Sequence, residues 1–161
     1  MRTKARPSLS ARGGFPHRQA LLASALVNVF EELGVGAAVH VDASAQVSEE
    51  WYPFKAHPDV VLLEYAHGAE RKRWRYNERC FARVRRERGV VRGEHGGFSD
   101  FFVPLTAIDR IGGTLVVGPF VTARPTSDEV LTNWRTLTGK HGRMGDPEFA
   151  RYLSIRLSTL T

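Results

Sequence analysis

Between residues 90 and 121 three strand-like runs follow one another with almost no chain between them, and no other feature constrains the fold as strongly. The runs cover residues 90–94, 100–108 and 113–121. His95-Gly-Gly-Phe-Ser99 turns between the first two, and Asp109-Arg-Ile-Gly112 between the second and third. A parallel crossover needs about a dozen residues or more, so neighbours joined this tightly run antiparallel.

The segments around this meander read as further elements. Leu22, Leu26, Val29, Phe30 and Leu33 fall on one helical face that starts near His17, and Gly34 suits its end. Residues 35–42 alternate: Val35, Ala37, Val39 and Val41 form one apolar face, with His40 and Asp42 pointing the other way. A turn over 42–46 and a short strand over 46–52 follow, and Pro53 and Pro58 break the chain. Residues 59–67 suit a helix or a strand equally, because Val60, Val61, Leu62 and Leu63 are continuous. Residues 69–88 place Trp74, Asn77, Phe81 and Val84 on one face of an arginine-rich helix that Gly89 ends. Thr126-Ser-Asp-Glu129 is a capping box opening a helix through Val130, Leu131, Trp134 and Leu137, closed by Gly139. Asp146 and Pro147 open a last helix whose stripe is Phe149, Leu153, Leu157 and Leu160. The expectation is an α+β fold, a central antiparallel sheet of about five to six strands with helices packed on it. A flexible lead-in over 1–16 precedes a domain over 17–145, and the helix over 146–161 is expected to continue toward an output module.

Composition narrows the partners. In 161 residues, 42% hydrophobic and 25% charged, there is enough apolar material for one packed core, which excludes a disordered chain. The net charge of +6 is unevenly spread: residues 1–18 carry +5, residues 71–92 carry +8, and the remainder carries −7. The basic character therefore belongs to two local segments. The apolar stretch 20–30 sits behind a basic leader, as a signal peptide does, but its helical spacing makes it a helix of the domain. No run approaches the ~20 apolar residues of a membrane span. The single cysteine, Cys80, allows no internal disulfide, and a reducing cytoplasm is the expected compartment.

Each pattern suggestive of chemistry has a plainer counterpart. His95-Gly-Gly97 resembles an esterase oxyanion loop, but no Gly-x-Ser-x-Gly elbow supplies a nucleophile, and an acyl hydrolase ranks last. Arg79 and Arg83 flank Cys80 and favour a thiolate; a buried, inert cysteine is the plainer reading. The six histidines form no His-x-x-x-His, and no metal or cofactor is expected. Arg71, Lys72, Arg73 and Arg75 interleave with Trp74 and Tyr76 as in surfaces that bind nucleic acid or an acidic partner. The plainer reading is a solvated helix face whose arginines pair with the acidic remainder of the chain. Trp51, Tyr52, Phe54, Tyr65, Trp74 and Tyr76 crowd the middle of the sequence, where helices and loops over a sheet commonly enclose a small-molecule pocket.

Glu94-His-Gly-Gly-Phe-Ser-Asp-Phe-Phe-Val-Pro-Leu105, followed by Ile111-Gly-Gly-Thr-Leu-Val-Val-Gly-Pro-Phe120, resembles sensory domains of the GAF superfamily, specifically the PocR-like branch. The segment 34–44 is similar to their first strand, and the resemblance spans roughly residues 17–138. It implies a GAF/PAS-like sheet between helices, a small-molecule pocket on one face, and an output module in the same longer chain. Cys80, His95 and Asp100 match positions at which such domains often carry those residues. Glu94 stands where a second cysteine is common, which argues against a metal or redox centre, and a lone Cys80 argues against the methionine sulfoxide reductase branch.

The expected function is a non-catalytic, cytoplasmic small-molecule sensor of bacterial signal transduction or transcription regulation. It would act as a homodimer without membrane association, passing occupancy on through its terminal helices. The expected ligand residues are Trp51, Tyr52, Tyr65, Trp74, Cys80, His95, Asp100 and Phe102. The alternative is a nucleic-acid or acidic-partner module using Arg71, Lys72, Arg73 and Arg75.

Overall fold

The meander closes through the conformation its glycines permit. Gly96 and Gly97 have φ of 61° and 85°, and the tightest hairpin turn needs positive φ at both central residues. Both turns are shorter than expected, so β4 (Phe98–Ala107) and β5 (Arg110–Phe120) run longer than their expected spans, and β3 (Val91–His95) is shifted by one residue. The computed structural model describes residues 28–30, 32–33, 35–41, 50–55, 58–107 and 110–159. The lead-in and most of the first expected helix lie outside these.

Two earlier strands, β1 (Ala37–Val41) and β2 (Glu50–Lys55), complete an antiparallel sheet of order β2-β1-β5-β4-β3. Pro53 lies within β2 and does not break it; an edge strand tolerates a residue without an N–H. Pro58 opens helix α1 (Pro58–Ala66), which resolves the ambiguity at 59–67 in favour of a helix. Helix α2 follows at Glu70–Glu87, then α3 at Ser127–Thr138 and α4 at Pro147–Ser158. The α+β class with an antiparallel sheet and helices packed on it is what the structure shows.

Apolar clusters form on both faces of the sheet. On one, Tyr76, Cys80, Phe81 and Val84 of α2 pack on Val91 and Phe102. His40 belongs to this face and is 3% exposed; it points away from Val39 as expected, but its ring stacks on Phe81 at 4.1 Å. On the other face Phe30 packs with Ala37 and Leu115, joined by Val39, Val103 and Val117. Val29 and Leu33, expected beside Phe30, are exposed. A third cluster gathers α1, α3 and α4 around Phe98 and Val121, with Trp134 and Tyr152 fully buried.

Three helical faces are rotated from their expected positions. In α2 the buried positions are Tyr76, Cys80, Phe81 and Val84, and Trp74 is 47% exposed. In α3 Leu131 is turned outward while Val130, Trp134 and Leu137 are buried. In α4 the buried positions are Phe149, Tyr152, Ile155 and Arg156, with Leu157 exposed. Spacings of three and four both define a helical stripe, and only the neighbouring layer selects between them.

The local end signals hold. Thr126 and Glu129 form the reciprocal capping box, Gly139 closes α3, and Asp146 accepts from the N–H groups of Glu148 and Phe149. Helix α2 ends one residue before the expected Gly89, because Arg88 itself adopts the left-handed conformation (φ 50°) and donates its N–H to Val84 O. A side chain there costs on the order of 1 kcal/mol that glycine does not. Arg88→Gly should therefore raise the urea midpoint at unchanged slope; an unchanged or lower midpoint would contradict the assigned cap.

Candidate functional site

At one end of the sheet, α1 and α2 bring a group of polar side chains into the interior. Glu64 occupies the buried face of α1, four residues after Val60, and is 0% exposed. One face of α2 presents Arg73, Tyr76 and Cys80 at spacings of three and four residues toward β3 and β4. Arg73 grips Glu64 with two bonds, Nε to Oε2 at 2.8 Å and Nη2 to Oε1 at 2.6 Å. Its Nη1 donates to Asp100 Oδ2 at 3.2 Å, and the Tyr76 hydroxyl donates to the same oxygen at 2.8 Å.

Two glycines make the room for this arrangement. Gly93 pairs with Asp100 across β3 and β4, and a Cβ there would lie 2.5 Å from Tyr76 Oη and 2.8 Å from Cys80 Sγ. Gly118 (φ 144°) lies against Asp100 from β5, where a Cβ would fall 2.5 Å from Oδ1. The register shift between Ser99 and Phe101 sits at the same place, so the sheet yields locally around the Asp100 carboxylate.

Burial governs the electrostatics. It pushes the Glu64 and Asp100 carboxyl groups up, and the bonds and charge of Arg73 pull both back. Burial also opposes the charge of Arg73, but its bonds to Glu64 and the two nearby carboxylates outweigh this and hold it cationic. Burial and the Asp100 charge raise the Tyr76 hydroxyl, keeping it a donor. Burial raises the Cys80 thiol despite the nearby Arg83, leaving a neutral group unsuited to nucleophilic attack. His95 stacks on Tyr76 at 5.1 Å, and its pKa is pushed down to about 4 by burial and by the charges of Arg73, Arg79 and Lys72. Its Nε2 stands 3.5 Å from Glu64 Oε1, an oxygen already committed to Arg73.

His95 connects this buried network to an open polar groove of about 510 Å³. The groove runs along the glycine turn and the segment 121–126, and α3 and α4 close it with Asn133 and Arg156. Arg92 spans one wall, its Nη2 donating to Glu94, Ser99 and Thr122 at 3.0–3.2 Å. Gly97 lies so close to the opposite wall that a Cβ would collide with Arg156 Nη1 and fall 2.7 Å from Asn133 Nδ2. A second cavity of about 450 Å³ is mostly apolar, lined by Val130, Leu131, Phe149 and Leu153 among others, and shares Arg124 and Arg156 with the groove.

Of the residues expected to touch a ligand, His95 lines the groove, and Asp100 and Cys80 lie beneath it, linked to it through Tyr76. Phe102 is 0% exposed, in the core under α2. Tyr65 and Trp74 lie on the outer surface and line neither cavity. The side chains of Trp51 and Tyr52 lie outside the described residues. The basic quartet divides in the same way. Arg73 is committed to Glu64 and Asp100, and Lys72 Nζ donates to the carbonyls of Thr136 and Leu137 at the end of α3. Arg71 and Arg75 remain exposed. Among the described residues no group of three or more His, Cys, Asp or Glu could hold a metal ion, and no helix is long and apolar enough to cross a membrane.

Tyr76 was expected only as one of the pocket aromatics, and Glu64 and Arg156 were not among the expected ligand residues, yet both left a trace in the sequence. Glu64 and Arg156 occupy apolar-face positions, four residues after Val60 and seven after Phe149, where a charge requires a reason. Comparison with family models, with curated proteins and with solved structures finds no match to this chain.

Proposed function

We propose that this chain is a small-molecule-sensing domain of the GAF/PAS-like, PocR-like kind, non-catalytic and acting in bacterial signalling or transcription regulation. The observation that carries the reading is the composition of the groove: the sheet supplies its floor at His95–Ser99, and α3 and α4 supply its far wall at Glu129, Asn133 and Arg156. A ligand seated there contacts the sheet and the last two helices at once. It therefore favours the helix positions that fit it best, and an output module attached beyond α4 would respond to that shift. The antiparallel sheet with helices packed on it and the buried His95–Tyr76–Asp100 network below the groove support the same reading.

Native mass spectrometry of the purified chain should show a non-covalent adduct of metabolite mass, and hydrogen exchange with the identified compound should show added protection over residues 127–158. A chain that carries no adduct and shows no change in melting or exchange across a metabolite panel would reject the sensor. Retained oligonucleotide would instead favour the basic-helix alternative, for which Arg71 and Arg75 remain available on the surface.

A further inference from the structure

We propose that the groove binds the oxyanion of a small polar molecule, a carboxylate or a phosphate ester, through Arg156; this rests on the groove being the sensor's ligand site. Arg156 is 6% exposed and lines the groove from α4. Its Nη1 donates to Tyr152 Oη at 3.0 Å, the Tyr152 hydroxyl donates to Gly96 O at 3.0 Å, and its Nε has no partner. Phe98 and Tyr152 lie under the guanidinium at 5.8 and 5.7 Å and offer it only ring faces. Among the described residues no carboxylate lies within ion-pair distance of it.

A buried guanidinium with no carboxylate at ion-pair distance is costly to keep, and one at the wall of a cavity is placed to meet an anion there. The two carboxylates that line the groove are hydrogen-bonded elsewhere, and Glu129 feels the charge of Arg156 only from beyond ion-pair distance. Glu129 accepts from Thr126 N at 2.8 Å and Thr126 Oγ1 at 3.0 Å, and Glu94 receives Arg92 at 3.2 Å. Arg124 adds a further cation, and Asn133, Ser99 and Thr122 add neutral polar groups suited to a hydroxylated or amide-bearing body. A guanidinium presents its donors in a planar fork that matches an oxyanion. Gly97, already required by the turn, also leaves room for both groups: a Cβ there would push Arg156 and Asn133 aside.

The test is an amide NMR titration of the full chain with glycerate, glycerol 3-phosphate and neutral glycerol, repeated on Arg156→Gln, Arg156→Lys and Asn133→Ala. The expected result is saturable shifts at Gly96, Gly97 and Thr122 with one or both anions and none with glycerol; which anion binds tells carboxylate from phosphate. Arg156→Gln should weaken binding at least about tenfold, equivalent to ~1.4 kcal/mol, and Arg156→Lys should restore part of it. Asn133→Ala, at a half-buried position of the same wall, should weaken the anion shifts too, and unchanged binding in it would count against the site should the buried position resist substitution. Glycerol shifting the same amides as well as the anions, or Arg156→Gln binding them unchanged, would overturn the inference and leave the groove as a site for neutral ligands. Silence of the groove amides to all three probes would also overturn it, and the adduct and exchange experiment then decides separately whether the sensor reading survives.

Discussion

Arg73→Met should cost the fold about 3–5 kcal/mol at neutral pH, the loss expected when one partner of a buried ionic network is removed. Glu64 and Asp100, 0% and 3% exposed, share this one guanidinium. Without it, both carboxyl groups are left buried, with Tyr76 the remaining donor to Asp100. The loss should shrink toward about pH 5. Burial already raises both carboxyl groups above their ordinary values, and removing Arg73 raises them further. A carboxyl whose folded pKa is raised stabilises the folded state below its unfolded value and loses that contribution as the pH climbs through the folded value. Acid therefore restores the variant by protonating what Arg73 had neutralised. His95 works in the opposite sense. Its folded pKa of about 4 lies below the unfolded value, so acid destabilises the protein as the pH falls between them. Removing Arg73 also removes one of the charges that depress His95, which lessens this acid loss in the variant and narrows the gap further; the quantity to measure is the difference between their urea-unfolding free energies at the two pH values. A difference under about 1 kcal/mol, or one that does not change with pH, would contradict the charged network.

Phe102→Ala should cost about 3–5 kcal/mol, the usual price of emptying a fully buried aromatic site. Phe102 is 0% exposed and wedged edge-on against Tyr76 at 5.7 Å and Phe81 at 5.5 Å. It joins the sheet to α2 at the point where Tyr76 reaches Asp100. Phe102→Leu retains most of the volume and should cost under about 1.5 kcal/mol. These two variants decide between the sequence expectation, which put Phe102 against a ligand, and the packing observed. A pocket-lining residue would alter binding while leaving stability within about 0.5 kcal/mol. Chemical unfolding of both variants, with no ligand present, reads the answer directly.

What could be read from the sequence was what is decided over a few residues. The turn at Gly96–Gly97 forces β3 and β4 together because its backbone geometry is local. Thr126 with Glu129, and Asp146 with Pro147, mark their helix starts because a capping bond spans only three residues. Composition and periodicity left open the questions that depend on a distant partner. Residues 59–67 form a helix, whose buried positions Val60 and Leu63 join the cluster built by α3 and α4, far along the chain. Trp74 was expected inside and Arg73 outside; the structure reverses them, because Arg73 finds Glu64 nine residues back and Asp100 twenty-seven residues ahead. His40 reads as the polar face of a strand, but α2 covers that face, and Phe81 lies on the ring. Arg156 stands seven residues after Phe149 on the apolar face of its helix, and only the packing of Trp134 and Tyr152 on that face shows that its charge ends at the wall of a groove. The sequence alone thus determined where the last two helices begin and where the meander turns, because hydrogen bonds between near neighbours decide that. Only the tertiary structure decided which charges are buried and what faces them, because those depend on layers assembled from residues remote in the chain.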